Sequence, residues 1–235
     1  MISVIIPTYN EIGYVPATIE SVAGNKAEKE VIVVDAGSVD GTGDLARDKA
    51  VHFLFSPRRQ RAYQMNLGAR QAHGRIFLFL HADTLLPPTA LDQIESVLLE
   101  TNIIGGGFLR RYDSNSWLLR ATCLLAGLRA RWTGWFLGDQ AIFVRSETFD
   151  KLGGFRDLDL FEDLDLSMRM ARAGKLVTLA PPVISSSRRF ERRGEVLTTL
   201  SDVWLTCQYL KGVDPNTLAR ARRAFSAKAR ARTAR

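Results

Sequence analysis

Five acidic residues stand where a set of strands would present them for chemistry: Asp35, Asp40, Asp83, Glu162 and Asp163. Asp35 follows the apolar run EVIVV (30–34), and Asp83 closes the segment His81-Ala82-Asp83 that follows RIFLFL (75–80). A lone acid at a strand end commonly caps a helix or turns a loop. Two acids on one edge of the inferred sheet, with a further cluster in Phe161-Glu162-Asp163-Leu164-Asp165, favour a sugar or metal site instead. Hard carboxylate oxygens suit Mg2+ or Mn2+ bridging a diphosphate. Other chemistries are excluded by their missing motifs. No GxGxxG follows the first strand, and no GxxxxGK[ST] or GxSxG occurs. Three histidines (His52, His73, His81) offer no Ser/His/Asp arrangement and no two-histidine metal set.

The elements that must position these acids alternate in type. Strands are predicted at Ser3–Pro7, Glu30–Val34, Val51–Phe55 and Arg75–Leu80, separated by helices at Ile12–Ala23, Gly41–Lys49 and Gln60–His73. Ser38 or Asp40 is placed to cap the second helix. A helix over Thr89–Glu100 follows Pro87-Pro88. Such alternation predicts an α/β fold, Rossmann-like, with a mostly parallel central sheet and helices on both faces. Ligands then bind at the carboxyl ends of the strands. Beyond residue 100 the pattern changes. A strand over Ile103–Tyr112 carries three glycines (Gly105–Gly107), the mark of a close neighbour. Helices follow at Trp117–Leu128, Phe161–Ala173 and Val196–Lys211, with strands at Ala141–Arg145 and Lys175–Leu179. Residues 1–210 read as one domain in two halves (1–100 and 101–210), followed by a basic C-terminal helix and tail (211–235).

Composition agrees with a chain that needs no staple. The 235 residues are 46% hydrophobic and 24% charged, enough for a core without disulfide or metal. No apolar run is long enough to span a bilayer as a helix. MISVIIPTYNE reads as a first strand rather than a signal peptide. Cys123 and Cys207, outside any CxxC, are expected as buried thiols in a reducing compartment. The net charge of +7 resides wholly in residues 211–235, which hold eight basic residues against Asp214. That arm is either a solvated terminus or a contact for anionic lipid; nucleic acid is not expected as a partner.

Five segments in order resemble a known family: VIIPTYNE (4–11), VVDAGSVDGT (33–42), QMNLGA (64–69), LHADT (80–84) and GGF…FEDLDLSMR (153–169). They look like the inverting glycosyltransferases of family 2, which have a GT-A fold, over about residues 1–190. LHADT, GDQAIF (138–143) and RRFERRG (188–194) resemble a small soluble bacterial branch of it.

The resemblance implies roles residue by residue. Pro7, Tyr9, Glu11 and Asp35 would hold the base and ribose of a UDP- or GDP-sugar donor, and Arg61 would face the diphosphate. Arg58 and Arg59 read as solvated. The family's D-x-D metal motif is here His81-Ala82-Asp83, so Asp83 would bind Mn2+ or Mg2+, with His81 as a ligand or a supporting group. Asp163, beside Glu162, matches the catalytic base. Asp139, Gln140, Trp135 and Glu162 would meet the acceptor, a lipid or a small glycan. Arg188, Arg189, Arg192 and Arg193 either close over the diphosphate or form a solvated face. The expected setting is the cytoplasm, with peripheral contact at the inner membrane surface. Two alternatives stand beside this reading: a sugar nucleotidyltransferase, and a lipid- or nucleic-acid-binding module that has lost catalysis.

Overall fold

A computed structural model describes residues 1–49 and 51–223. The first half follows the expected alternation: β1 (Ile2–Thr8), α1 (Val15–Ala23), β2 (Lys29–Asp35), α2 (Thr42–Asp48), β3 (His52–Phe55), α3 (Arg61–Gln71) and β4 (Ile76–Phe79). The strands β3, β2, β1 and β4 lie side by side in that order, all parallel. The central strands β1 and β4 are mostly apolar and buried, as expected where helices cover both faces. Val4 and Ile6 of β1 join one core layer with Val15 and Ile19 of α1. Ile5, between them, points into the opposite layer with Ala62 and Met65 of α3. Because α1 and α2 carry the chain outward from β1 and α3 brings it back to β4, the strand order reverses between β1 and β4. Open sheets form their ligand crevice at the carboxyl ends of such a pair.

The second half completes one eight-stranded sheet: β5 (Thr84–Leu85), β6 (Ile103–Tyr112), β7 (Ile142–Arg145) and β8 (Lys175–Ser185), in the order β3-β2-β1-β4-β7-β6-β8-β5. It is mostly parallel, but β7 runs antiparallel to both β4 and β6, and β5 antiparallel to β8. The close neighbours expected at the β6 glycines are present. A Cβ on Gly106 would lie 2.1 Å from the Val177 carbonyl oxygen, and one on Gly107 2.5 Å from the Phe136 ring. The helices are α4 (Ala90–Val97), α5 (Trp117–Thr133), α6 (Ser146–Lys151), α7 (Glu162–Ala173), α8 (Arg188–Arg193) and α9 (Glu195–Leu210), with a final helical stretch over residues 215–223.

Several expectations change. Helix α5 continues past Leu128 to Thr133, where Gly134 at φ +69° ends it. Strand β8 runs on past Leu179 and through Pro181-Pro182, because a register shift between Phe108 and Arg110 of β6 accommodates the missing N–H groups. Elements β5, α6 and α8, too short for a periodic signal, were not foreseen. Neither cysteine is fully buried: Cys123 is half-buried and Cys207 is exposed on α9. The basic segment is also not all solvated arm. Leu218 and Ala219 are buried against Leu160, Phe161 and Leu205, and Arg223 pairs with Asp159 at 2.6 Å. The remainder of the tail, 224–235, lies outside the described residues.

Candidate functional site

A cleft of about 1000 Å³ opens at the carboxyl ends of β1 and β4 and extends between α5, α8 and α9. Eight arginines and four aspartates line it, an excess of four positive charges. One end is built by the loop after β4, the N-terminus of α3 and the N-terminus of α7, which bring His81, Asp83, Arg61 and Asp163 together.

Asp163 is set by local backbone. Phe161 takes a left-handed turn (φ +65°) just before α7, and Asp163, second in the helix, lines the cleft. Oδ2 of Asp163 accepts the Gly138 N–H at 2.5 Å and Oδ1 the Leu164 N–H at 2.7 Å. Burial pushes the carboxyl up, and the neighbouring Glu162 charge adds to it, opposed by Arg61 and the Gly138 N–H. Glu162 is 1% exposed and faces away from the cleft walls; Arg61 Nε lies 2.8 Å from its Oε1. Glu162, then Asp163 and Asp83, keep Arg61 firmly protonated. Behind α7, Asp165 binds Arg169 at 2.8 Å, and Arg169 donates to the Leu152 and Gly154 carbonyls.

The 3-10 turn Gly138–Gln140 precedes β7. A Cβ on Gly138 would lie 2.3 Å from His81 Nε2, so the imidazole packs flat against this turn. Burial and the Arg61 charge lower the His81 pKa, against the pull of Asp83, Asp163 and Asp139, so the ring is neutral at pH 7. Asp139 points into the cleft, held by Arg110 and by the Tyr112 hydroxyl at 3.0 Å. Burial would raise its carboxyl, but the Arg110 charge and the Tyr112 hydroxyl hold it low. Gln140 is fully buried and spent on the fold: its amide donates to the Phe108 carbonyl and accepts from Arg129 at 2.9 Å. With 0% exposure it cannot reach an acceptor in the cleft. Trp135 packs against the cluster of Phe161, Leu164 and Leu205 and is not a cleft wall. Gln140 and Trp135, expected as acceptor contacts, therefore serve the fold, and so does Glu162, which is buried against Arg61 and does not line the cleft.

The loop after β1 and the loop after β2 interlock beside the cleft. Pro7 is buried within β1, paired to Val34. The Asp35 carboxylate accepts four bonds from its own surroundings: the Thr8 and Ser38 hydroxyls and the Gly37 and Ser38 N–H groups. That fills the acceptor positions of a carboxylate, so Asp35 fixes the loop. Asp40 accepts the Thr42 N–H at 3.0 Å and supports the start of α2, as its position suggested. Arg59, expected to be solvated, lies over the Tyr9 ring at 3.5 Å; Arg58 does pair, with Asp157 at 3.2 Å.

Arg188 of α8 closes the other side. Its Nη2 donates to Glu11 Oε1 at 2.7 Å and to Asp83 Oδ2 at 2.8 Å, and the guanidinium covers the Tyr14 ring at 4.2 Å. These two acids hold its pKa above the usual value despite burial. One guanidinium nitrogen thus bridges the acids that end β1 and β4. Glu11 Oε2 is buried without a partner. Among the described residues no three metal-ligating side chains converge. The donor set is one Asp83 carboxylate, with the orphaned Glu11 oxygen nearby. That fits an ion such as Mg2+ or Mn2+ that keeps few protein ligands and takes substrate phosphate oxygens and water for the rest.

Sequence reasoning missed Arg110, Tyr112, Arg129, Asp202 and Arg222 of the cleft. The first two were findable, since residues two apart on a strand share a face. The others depend on how α5, α9 and the C-terminal stretch meet. Burial and the charges of Arg189 and Arg61 bring the Arg222 pKa down to about 10.

The comparisons with known proteins agree with this geometry. The Glycosyl transferase family 2 profile matches residues 3–156. The chain belongs to glycosyltransferase family 2. Glycosyltransferase AglE of Haloferax volcanii is 28% identical over 205 residues, 78% of this chain and 65% of that protein. The chain thus spans just under two thirds of that relative. Among solved structures, mannosyltransferase PcManGT from Pyrobaculum calidifontis, in complex with GDP-Man and Mn2+, superposes with a TM-score of 0.63 at 25% identity. The match covers 79% of this chain and 56% of PcManGT. S. aureus TarS 1-349 in complex with UDP superposes at 0.64 with 18% identity, covering 79% of this chain and 60% of TarS. The GT-A fold expected from the sequence is therefore the observed one.

Proposed function

We propose that this glycosyltransferase family 2 chain moves a sugar, with inversion, from a nucleoside diphosphate sugar to an acceptor hydroxyl, with Asp163 as base. One observation carries the reading: a half-buried carboxylate with a raised pKa at a helix N-terminus, in the same cleft as Arg61 and Asp83. A carboxylate with a raised pKa is the stronger base, and neutral-pH chemistry favours one poised upward. Asp163 takes the proton of the acceptor hydroxyl as its oxygen attacks C1 of the sugar. The C1–O bond to the diphosphate breaks on the opposite face, and the electron pair leaves with the diphosphate. Arg61 faces that developing charge. The Gly138 N–H holds the Asp163 carboxylate in place, and the neutral His81 ring holds Gly138, so His81 is a positioning residue.

Asp83 would hold Mn2+ or Mg2+, which neutralises charge on the leaving diphosphate when bound. The complex of PcManGT with GDP-Man and Mn2+ and that of TarS with UDP support a nucleotide-sugar donor of this kind. Tyr9, stacked under Arg59, would support the base and Glu11 would meet the ribose; Pro7 and Asp35 shape that loop from beneath. Asp139 is the acceptor-side acid that faces the cleft. A nucleotidyltransferase is not favoured, because Pro7-Thr8-Tyr9-Asn10 takes the place of a glycine-rich phosphate loop. Titration calorimetry against UDP- and GDP-sugars, with and without Mn2+, tests the reading. Donor binding by wild type that weakens for Asp83→Ala supports it; a wild type that binds no nucleotide sugar overturns it.

A further inference from the structure

Helices α5 and α9 flank the mouth of the cleft, and each carries an apolar face turned to solvent. On α5 the exposed face holds Trp117 (78% exposed), Leu124 (71%), Leu128 and Trp132 (87%). Their spacing of seven, four and four residues keeps them on one stripe, while Leu119, Ala126 and Ala130 bury the opposite face. On α9 the exposed set is Val196, Leu197, Leu200 (63%), Val203 and Trp204. The two helices pack side by side. Leu125 and Val203 belong to the exposed sets and also line the cleft. The apolar surface and the cleft are therefore continuous. Scattered exposed leucines need no explanation, but one contiguous apolar surface on two adjacent helices marks a docking site.

The charges around this surface say what docks. At 100° per residue, exposed Arg120 and Arg131 fall on one border of the α5 stripe. Exposed Arg192 precedes α9 and exposed Lys211 follows it. Exposed Glu191 and Asp214 stand beside Arg192 and Lys211, so the net cationic border is that of α5, which carries no acid. Tryptophans stand at both ends of the α5 stripe, about 22 Å apart at 1.5 Å per residue. Apolar centre, cationic border and terminal tryptophans are the pattern of a helix lying in the interface of an anionic bilayer. We infer that the α5–α9 face docks on an anionic lipid surface, with the mouth of the cleft turned toward the lipid. The docking stands apart from the transferase reading; only its consequence, an acceptor presented from the membrane, rests on that reading.

The test uses the full chain, vesicles of phosphatidylcholine with and without 30% phosphatidylglycerol (about that fraction suffices for a surface potential of tens of millivolts), and brominated lipid as a fluorescence quencher. The expected result is co-sedimentation with the anionic vesicles, weak binding to the neutral ones, and quenching of tryptophan emission, because Trp117, Trp132 and Trp204 enter the lipid while Trp135 stays packed inside. Leu124→Asp with Leu200→Asp should lower the bound fraction at least tenfold while circular dichroism and donor binding stay unchanged. A chain lacking residues 226–235 should still bind. The inference is overturned if wild type ignores anionic vesicles, or if it binds without quenching. It is equally overturned if binding survives the double variant or is lost with the tail alone. Light scattering showing a dimer that the double variant dissolves, with no vesicle binding, would assign the face to a second copy instead.

Discussion

Replacing Gly138 by alanine tests how His81 and Asp163 are held. The new Cβ would lie 2.3 Å from His81 Nε2 and 2.6 Å from Cε1. Ordinary contact begins near 3.4 Å, so the ring or the turn must move by about 1 Å. The same Cβ would lie 3.1 Å from Asp163 Oδ2, so relief toward α7 is closed off. Overpacking of this kind destabilises by about 1–3 kcal/mol, or roughly 2–12 °C in melting temperature for a chain of this size. His81→Ala removes the obstacle. The double variant should therefore be less destabilised than the sum of the singles by about 1 kcal/mol or more, the scale for residues in direct contact. Urea denaturation of the four proteins measures this without any substrate. A Gly138→Ala protein as stable as wild type, or strictly additive effects, would refute the packing of His81 on the turn and with it the positioning role.

Further outcomes concern the cleft charges. Arg188→Ala should strengthen Mn2+ binding in the absence of nucleotide by about tenfold, as expected for removing an adjacent like charge; unchanged affinity by titration calorimetry would mean Arg188 does not compete for Asp83. Asp83→Ala should abolish the metal-dependent part of donor binding, and persistence of that part would remove Asp83 from the ion site. For pH, Asp163 must be ionised to act and its carboxyl is raised. Transfer at saturating donor should therefore fall as pH drops through a value above the usual carboxylate range. A rate independent of pH from 7 down to about 4, the ordinary carboxylate value, would contradict this.

Much of this was legible in the sequence because the first half obeys local rules. Apolar runs ending in polar loops fixed β1, β2 and β4, and Asp83, Arg61 and Asp163 do share one cleft. The failures have a common cause. Gln140 and Trp135 look available in the chain, but what they touch is decided by α5, β6 and the C-terminal stretch. Asp35 stands at the right strand end, yet four donors from its own loop occupy it, and no spacing rule reveals that. Helix α8 is six residues long, too short for periodicity to detect, though RRFERRG was visible as a motif. The basic C-terminal segment reads as a solvated terminus or a lipid contact because charge counts along a chain do not say which residues fold back. Arg222 does fold back, into the cleft wall.

The central claim is that Asp163 deprotonates the acceptor while the donor is held by other residues. It is tested most directly by measuring transfer and donor binding side by side for wild type and Asp163→Asn, using whichever UDP- or GDP-sugar the wild type binds. The account predicts a transfer rate lowered about 10²–10⁴-fold, the contribution of a positioned general base, with donor affinity within a few-fold of wild type. Transfer near the wild-type rate would contradict it, as would a loss of donor binding large enough to explain the lost rate.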